Sequence, residues 1–178
     1  MKLPRLILSL LLALAPLALA QERQPKIILG WLESIRLQQS DMRIKTKLDP
    51  GAKTSSMQAT NIERFQKEGE HWLRFEFTDI DLDTNQEESH LLTGPLTREV
   101  VIKRHGAPNV TRPVVAMEFC LYHQIYRAEF SLADRDKFNY AVLLGRSFLS
   151  KVALVDSSET FLSRPTCEGN VSVQEVAD

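Results

Sequence analysis

The sequence is poor in cysteine, in charge imbalance and in long apolar runs. Cys120 and Cys167 are its only cysteines, too few for a fold built from disulfides. Basic and acidic residues nearly balance, 22 against 23. That balance argues against nucleic acid or an anionic membrane surface as partner. Short basic clusters such as Lys103-Arg104-His105 read as solvated faces. Beyond residue 20 no segment is apolar enough to cross a membrane, so no stable membrane anchor is expected. Nothing repeats at a solenoid period. Several catalytic signatures are missing as well. There is no His-Glu-x-x-His for a helical zinc site and no Gly-x-x-x-x-Gly-Lys-Ser/Thr for nucleotide phosphates. There is no Gly-x-Ser-x-Gly around Ser55 or Ser56. His71, His90, His105 and His123 are scattered. Cys120-x-x-His123 is the closest soft pair, but residues three apart on a strand face opposite sides. No metal or other cofactor is expected.

What is present begins with a leader. Lys2 and Arg5 precede an apolar core, Leu6 to Leu14, and Ala18-Leu19-Ala20 makes a small-x-small cleavage site. Residues 1–20 therefore read as a signal peptide and the protein as exported, to the periplasm if the source is Gram-negative. Without Lys2 and Arg5 the basic residues fall to 20 against 23 acidic ones, a net charge of −3. In an oxidising compartment Cys120 and Cys167 are candidates for one disulfide, tying the tail to a central strand. The alternative is a buried Cys120 and a free Cys167. Residues 21–164 are enough for one domain with a real core, followed by a polar tail, 165–178, expected to be loosely held.

Short alternating runs dominate the domain. Lys26 to Leu32 reads as a strand, with Gly30 marking a bulge or close approach and Trp31 filling the core. Glu33 and Ser34 are expected to turn the chain. Met42, Ile44, Thr46 and Leu48 alternate with Arg43, Lys45 and Lys47, a half-buried strand with a basic outer face. Lys67-Glu68-Gly69-Glu70 is a hairpin signal, and Leu73, Phe75 and Phe77 mark the returning strand. Asp79 to His90 is acidic and lacks an apolar period, so it reads as an exposed loop. Its Asp79-x-Asp81-x-Asp83 spacing lacks the glycine and glutamate of a calcium loop. Further strands are expected over 97–103, 112–121, 122–132 and 140–144. A helical turn is expected over 147–150, and a last strand pair around Asp156-Ser157-Ser158. The pattern predicts an all-β barrel or sandwich with almost no helix.

Two stretches stand apart. Leu48-Asp49-Pro50-Gly51-Ala52-Lys53-Thr54-Ser55-Ser56 places an aspartate at a strand end beside a glycine. Some ninety residues on, Tyr140-Ala141-Val142-Leu143-Leu144-Gly145-Arg146-Ser147-Phe148-Leu149 again runs from apolar strand through glycine into a turn. Together they resemble the Asp-Thr-Gly-Ala loop and the later apolar-apolar-Gly-Arg segment of the retropepsin-like aspartic peptidases. Leu48 to Met57, Leu144 to Leu149 and Val155 to Leu162 also resemble a bacterial family labelled ATP-dependent zinc proteases, which is grouped with retropepsins by fold. The resemblance covers roughly Ile27 to Leu162. One position departs from the pattern: Pro50 stands where a Thr or Ser is usual. The label's zinc and ATP find no motif here.

The resemblance implies a closed retropepsin-like barrel and an aspartic endopeptidase acting on peptide or protein. Such chemistry needs two carboxylates sharing a proton, with the like charges raising one pKa. One domain of this size supplies one, Asp49, so the resemblance implies a homodimer with Asp49 facing its copy. Asp156 is the rival carboxylate if the pair were intramolecular. The loop would comprise Pro50, Gly51, Ala52, Lys53, Thr54 and Ser55. Its hydroxyls, with that of Ser56, would fix Asp49, and Lys53 is expected to point outward or to bind a substrate carboxylate. Gly145 is expected beneath the loop and Arg146 against an acidic side chain. Either Glu68 to Trp72 or Asp79 to Gly94 would be the lid. The other reading of the fold is a binding protein for extended peptides or cell-envelope ligands, without cleavage.

Overall fold

The computed structural model describes residues 25–103 and 106–177. The expected signal peptide lies outside them. The described residues form strands β1 (Ile27–Leu37), β2 (Arg43–Asp49), β3 (Ser55–Gln58), β4 (Thr60–Lys67), β5 (Glu70–Asp81), β6 (Gln86–Ile102), β7 (Val110–Leu121), β8 (Gln124–Ala133) and β9 (Val142–Gly145). Helix α1 (Arg146–Val152), β10 (Ala153–Thr160) and β11 (Val173–Val176) follow.

The alternation in β2 decides where the barrel begins. Met42, Ile44, Thr46 and Leu48 are buried, while Lys45 is exposed and Arg43 and Lys47 are half-buried. β2 pairs antiparallel with β1 and parallel with β9. β3 pairs with β9 and β8, and β7 with β8. Arg36 opposite Cys120 and Leu37 opposite Phe119 join β7 back to β1. The ring β1-β2-β9-β3-β8-β7 is a closed all-β barrel, as a retropepsin-like domain requires. Its interior holds Phe119 with Phe130 and Phe148, each pair of rings 5.5 Å apart. Tyr126 meets Phe148 edge-on at 5.3 Å. The helix is longer than the single turn expected, because Phe148, Leu149 and Val152 share a buried face and i, i+1, i+4 spacing lets one helical face cover the core.

Four expectations fail, each for a physical reason. Glu33 and Ser34 do not turn; β1 runs through them, both buried. The Glu33 carboxylate accepts from the N–H groups of Gly30 (2.8 Å), Leu162 (3.0 Å) and Ser163 (3.1 Å) and from the Ser163 hydroxyl (2.9 Å). A buried charge so satisfied no longer ends a strand. Asp79 to His90 is not a loop but the end of a long β5–β6 hairpin, paired from Trp72 with Pro95 to Asp81 with Gln86. Asp83 anchors its tip through Arg36 (2.6 Å) and Arg43 (2.8 Å), so ion pairs replace an apolar period. The residues around Asp156 do not form a strand pair either. β10 is one strand, parallel to β1, and its Asp156 carboxylate accepts from the N–H and hydroxyl of Ser158.

The tail is not loose. β11 adds parallel to β8, and Cys120 and Cys167 are joined in a disulfide with Cα atoms 6.0 Å apart. The Lys151 ammonium donates to the Ala177 carbonyl. Gly30 sits at a register shift of β1, where a Cβ would lie 2.5 Å from the Glu159 carbonyl oxygen.

Candidate active site

Asp49 is the last residue of β2 and stands opposite Gly145 of β9. Pro50 ends the strand because it has no N–H to donate. The chain then folds back on the aspartate: the Gly51 N–H donates to Asp49 Oδ1 (3.0 Å) and the Ala52 N–H to the Asp49 carbonyl (3.2 Å). This is a short aspartate-stabilised turn. It holds one carboxylate oxygen and leaves the other toward solvent and Lys47.

The rest of the loop is held from β9 and α1. A Cβ on Gly145 would sit 2.5 Å from the Thr54 carbonyl carbon. Only glycine lets the loop lie this close. The Gly145 N–H donates to the Ser55 hydroxyl (3.1 Å). The N–H groups of Arg146 and Ser147 donate to the carbonyls of Ala52 (2.8 Å) and Lys53 (3.0 Å). Arg146 does not meet an acidic side chain as expected. Its guanidinium donates to the Pro50 carbonyl (2.9 Å), because the turn presents that oxygen outward. The loop hydroxyls do not hold Asp49 either. Ser56 donates to the Ser131 carbonyl, and Ser131 returns a bond to the Ser55 carbonyl.

Lysine reaches Asp49, but it is Lys47. Its ammonium lies 3.0 Å from Asp49 Oδ2. Lys53 is exposed. The Lys47 hydrogen bond is the main cause that holds the Asp49 carboxyl below the usual carboxylate range; partial burial opposes it, and the Gly51 and Ala52 amides assist. The pleat explains the contact, since residues two apart on a strand share a face.

Two clefts adjoin the loop. One, of about 400 Å³, is walled by Asp49, Lys47, Trp31, Arg135, Phe138 and Tyr140. Trp31 is thus half-buried at the site, edge-on to Tyr140 at 6.2 Å, and does not fill the core. The other, of about 370 Å³, meets the loop at Ala52, Lys53 and Thr54 and adds Lys103 and Arg112. Arg135 and Leu143 line both. Among the described residues of the two linings the charged groups are five cations (Lys47, Lys53, Lys103, Arg112 and Arg135) and one carboxylate, Asp49.

The segment bordering Asp49 is the connection 135–140, not either hairpin expected as a lid. Glu68 and Gly69 form the tip of β4–β5. Lys47 carried a readable signal, its i, i+2 spacing from Asp49. Arg135 lay in a polar connection whose folding back no local pattern reveals. Asp156 does not line these clefts. The zinc label does not fit the donor set: no cluster of His, Cys, Asp and Glu suited to a metal exists among the described residues. The disulfide also removes both thiolates.

Residues 28–166 match the family model described as RimB-like, retropepsin-like aspartic endopeptidase RimB. A protein from Shewanella pealeana named "Probable alpha-L-glutamate ligase" is 36% identical over 122 residues, 66% of this chain and 25% of that relative. One of the same name from Desulfotalea psychrophila is 32% identical over 113 residues, 64% of this chain and 24% of its own length. The chain thus spans about a quarter of the length of these curated relatives. A crystal structure of a Legionella pneumophila protein of unknown function superimposes with a TM-score of 0.67 at 28% identity. The match covers 79% of this chain and all of that one.

Proposed function

The chain belongs to the RimB-like family of retropepsin-like aspartic endopeptidases, and from that premise we propose that it is an exported peptidase cleaving acidic peptides through paired Asp49 carboxylates in a homodimer. The observation that carries this reading is Asp49 itself. It sits at a strand end opposite Gly145, clamped by a turn amide and open to a cleft.

In the dimer one Asp49 is ionised and its copy protonated. The ionised carboxylate takes a proton from water as the water oxygen bonds to the peptide carbonyl carbon. The protonated one gives its proton to the carbonyl oxygen. The tetrahedral adduct then collapses: the C–N bond breaks as the departing nitrogen takes a proton from the dyad, and one hydroxyl of the adduct returns its proton to the dyad as its C=O bond forms. Lys47 favours ionisation, so it assigns the shared proton weakly and sets the pair to work on the acid side. Acidic substrate is supported by the cation excess around the loop, against a net charge of −1 for the whole chain. It is supported too by the relatives' name, since a glutamate ligase makes the bond a glutamyl peptidase breaks. Export is supported by the leader and by the Cys120–Cys167 disulfide, which persists in an oxidising compartment.

A second reading, a non-catalytic binder of acidic peptides, is favoured by the Lys47–Asp49 ion pair and by Pro50. Cleavage of a mixed peptide library from about pH 4 to about pH 8 separates the two. The expected result is cleavage by the protein and a drop of about 10³-fold or more in Asp49→Asn, with the variant still folded and dimeric by sedimentation. Equal cleavage by both proteins removes Asp49 from the chemistry, and binding without cleavage selects the second reading.

A further inference from the structure

We propose that Arg135 is the specificity-determining residue of this site, its two terminal guanidinium nitrogens receiving a side-chain carboxylate of the peptide. The assignment rests on reading the cleft as a peptide site. Arg135 is 8% exposed, unusual burial for an arginine. Its backbone N–H donates to the Gln58 side chain, and its Nε to the Tyr140 carbonyl at 3.0 Å. Its guanidinium lies 4.7 Å from the centre of the Phe138 ring. The Nε bond and the ring contact fix the plane of the fork, and none of the three contacts uses its terminal nitrogens.

Among the described residues no carboxylate lies within ion-pair distance of Arg135. Asp136, its neighbour, accepts from Gln58 Nε2 at 2.7 Å. Asp79 and Glu87 border a further cleft of about 250 Å³ that Arg135 also reaches, yet neither pairs with it. The only sealed side-chain polar atom without a partner in the described residues is Thr46 Oγ1. The terminal nitrogens of Arg135 are therefore open to the clefts it lines. Burial pushes its pKa down and the nearby Arg112 charge adds to that, so an entering anion relieves both.

Geometry then suggests why this group selects. A buried guanidinium held in one plane is preorganised for two parallel hydrogen bonds to a carboxylate. A neutral amide in its place leaves at least one buried donor facing another donor, which costs affinity. Arg135 shares one cleft wall with Asp49, so a side chain seated there places the adjoining peptide backbone along the catalytic loop.

The test separates binding from cleavage by using Asp49→Asn as the background. Calorimetry measures capped tetraglutamate and tetraglutamine peptides on that protein, and on the same protein carrying Arg135→Gln or Arg135→Lys. The expected result is that tetraglutamate binds about 10–100-fold more tightly than tetraglutamine. That preference is lost with Arg135→Gln and partly kept with Arg135→Lys. Near-ultraviolet circular dichroism checks the fold, and if Arg135→Gln fails to fold, a weakened preference in Arg135→Lys decides. Equal binding of the two peptides, or a preference undiminished in the variants, overturns the assignment. Preference in binding with no cleavage by the unmodified protein sinks the hydrolytic reading and leaves Arg135 standing.

Discussion

Lys47 and Asp49 stand two apart on β2, so the pleat sends both to one side of the sheet. Their 3.0 Å contact sets the charge state of the site, because the ammonium favours the ionised carboxylate and lowers its pKa. Removing Lys47 must raise it. If activity needs one proton on the Asp49 pair, both limbs of its bell-shaped pH profile follow the two macroscopic pKa values. Lys47→Met is therefore expected to move the whole profile of kcat/KM to higher pH. A profile that stays in place would remove Lys47 from control of the dyad. Gly145 makes a second prediction. Its φ of −93° is open to any residue, so the constraint is space alone. Gly145→Ala drives a methyl to within 2.5 Å of the Thr54 backbone. It is expected to destabilise by about 2–3 kcal/mol, seen as a fall in Tm of about 5–10 °C.

Among the elements, β1 pairs with three neighbours, β2, β7 and β10. Its buried Glu33 fastens the segment after β10 through the amides of Leu162 and Ser163. Glu33→Ala leaves those donors and the Gly30 amide without an acceptor. The expected loss is about 3 kcal/mol, with faster hydrogen exchange at Leu162 and Ser163 than in the β5–β6 hairpin. Uniformly unchanged exchange would mean that water replaces the carboxylate at no cost. The hairpin shows a different logic. Its tip is held by Asp83, whose pKa is lowered chiefly by hydrogen bonds from Arg36 and Arg43. A lowered native pKa contributes stability above the unfolded value and loses it as pH falls through the folded one. Acid should therefore loosen this tip.

At the scale of the whole molecule, the disulfide joins residues 47 apart in sequence, linking the tail that carries β11 to the barrel wall. Closing a loop of that length restricts the unfolded chain by about 4 kcal/mol in the chain-entropy model. Reduction, or paired Cys120→Ser and Cys167→Ser, is expected to lower the denaturant midpoint accordingly, without changing the barrel's circular dichroism. An unchanged midpoint would show that β11 pairing alone holds the tail. The charge pattern also belongs to this scale. The chain carries a net charge of −1, yet five of its cations line the clefts at the Asp49 loop: Lys47 of β2, Lys53 of the loop, Lys103 just past β6, Arg112 of β7 and Arg135 of the 135–140 connection.

The all-β class and the inward face of β2 are legible in the sequence, because period-two alternation is a local property; the place of Gly145 beneath the Asp49 loop follows only from the resemblance of the paired motifs. The sequence also contained Lys47 as the neighbour of Asp49 in the same alternation. That Glu33 and Ser34 continue a strand is settled only by the fold, since all but one of the donors that satisfy Glu33 come from residues about 130 positions away and pairing at such separations leaves no local trace. The same holds for Arg135. Its burial against Phe138, and its place on the wall of the Asp49 cleft, arise where a loop after β8 meets the ends of β2 and β9, and ring closure alone brings them together.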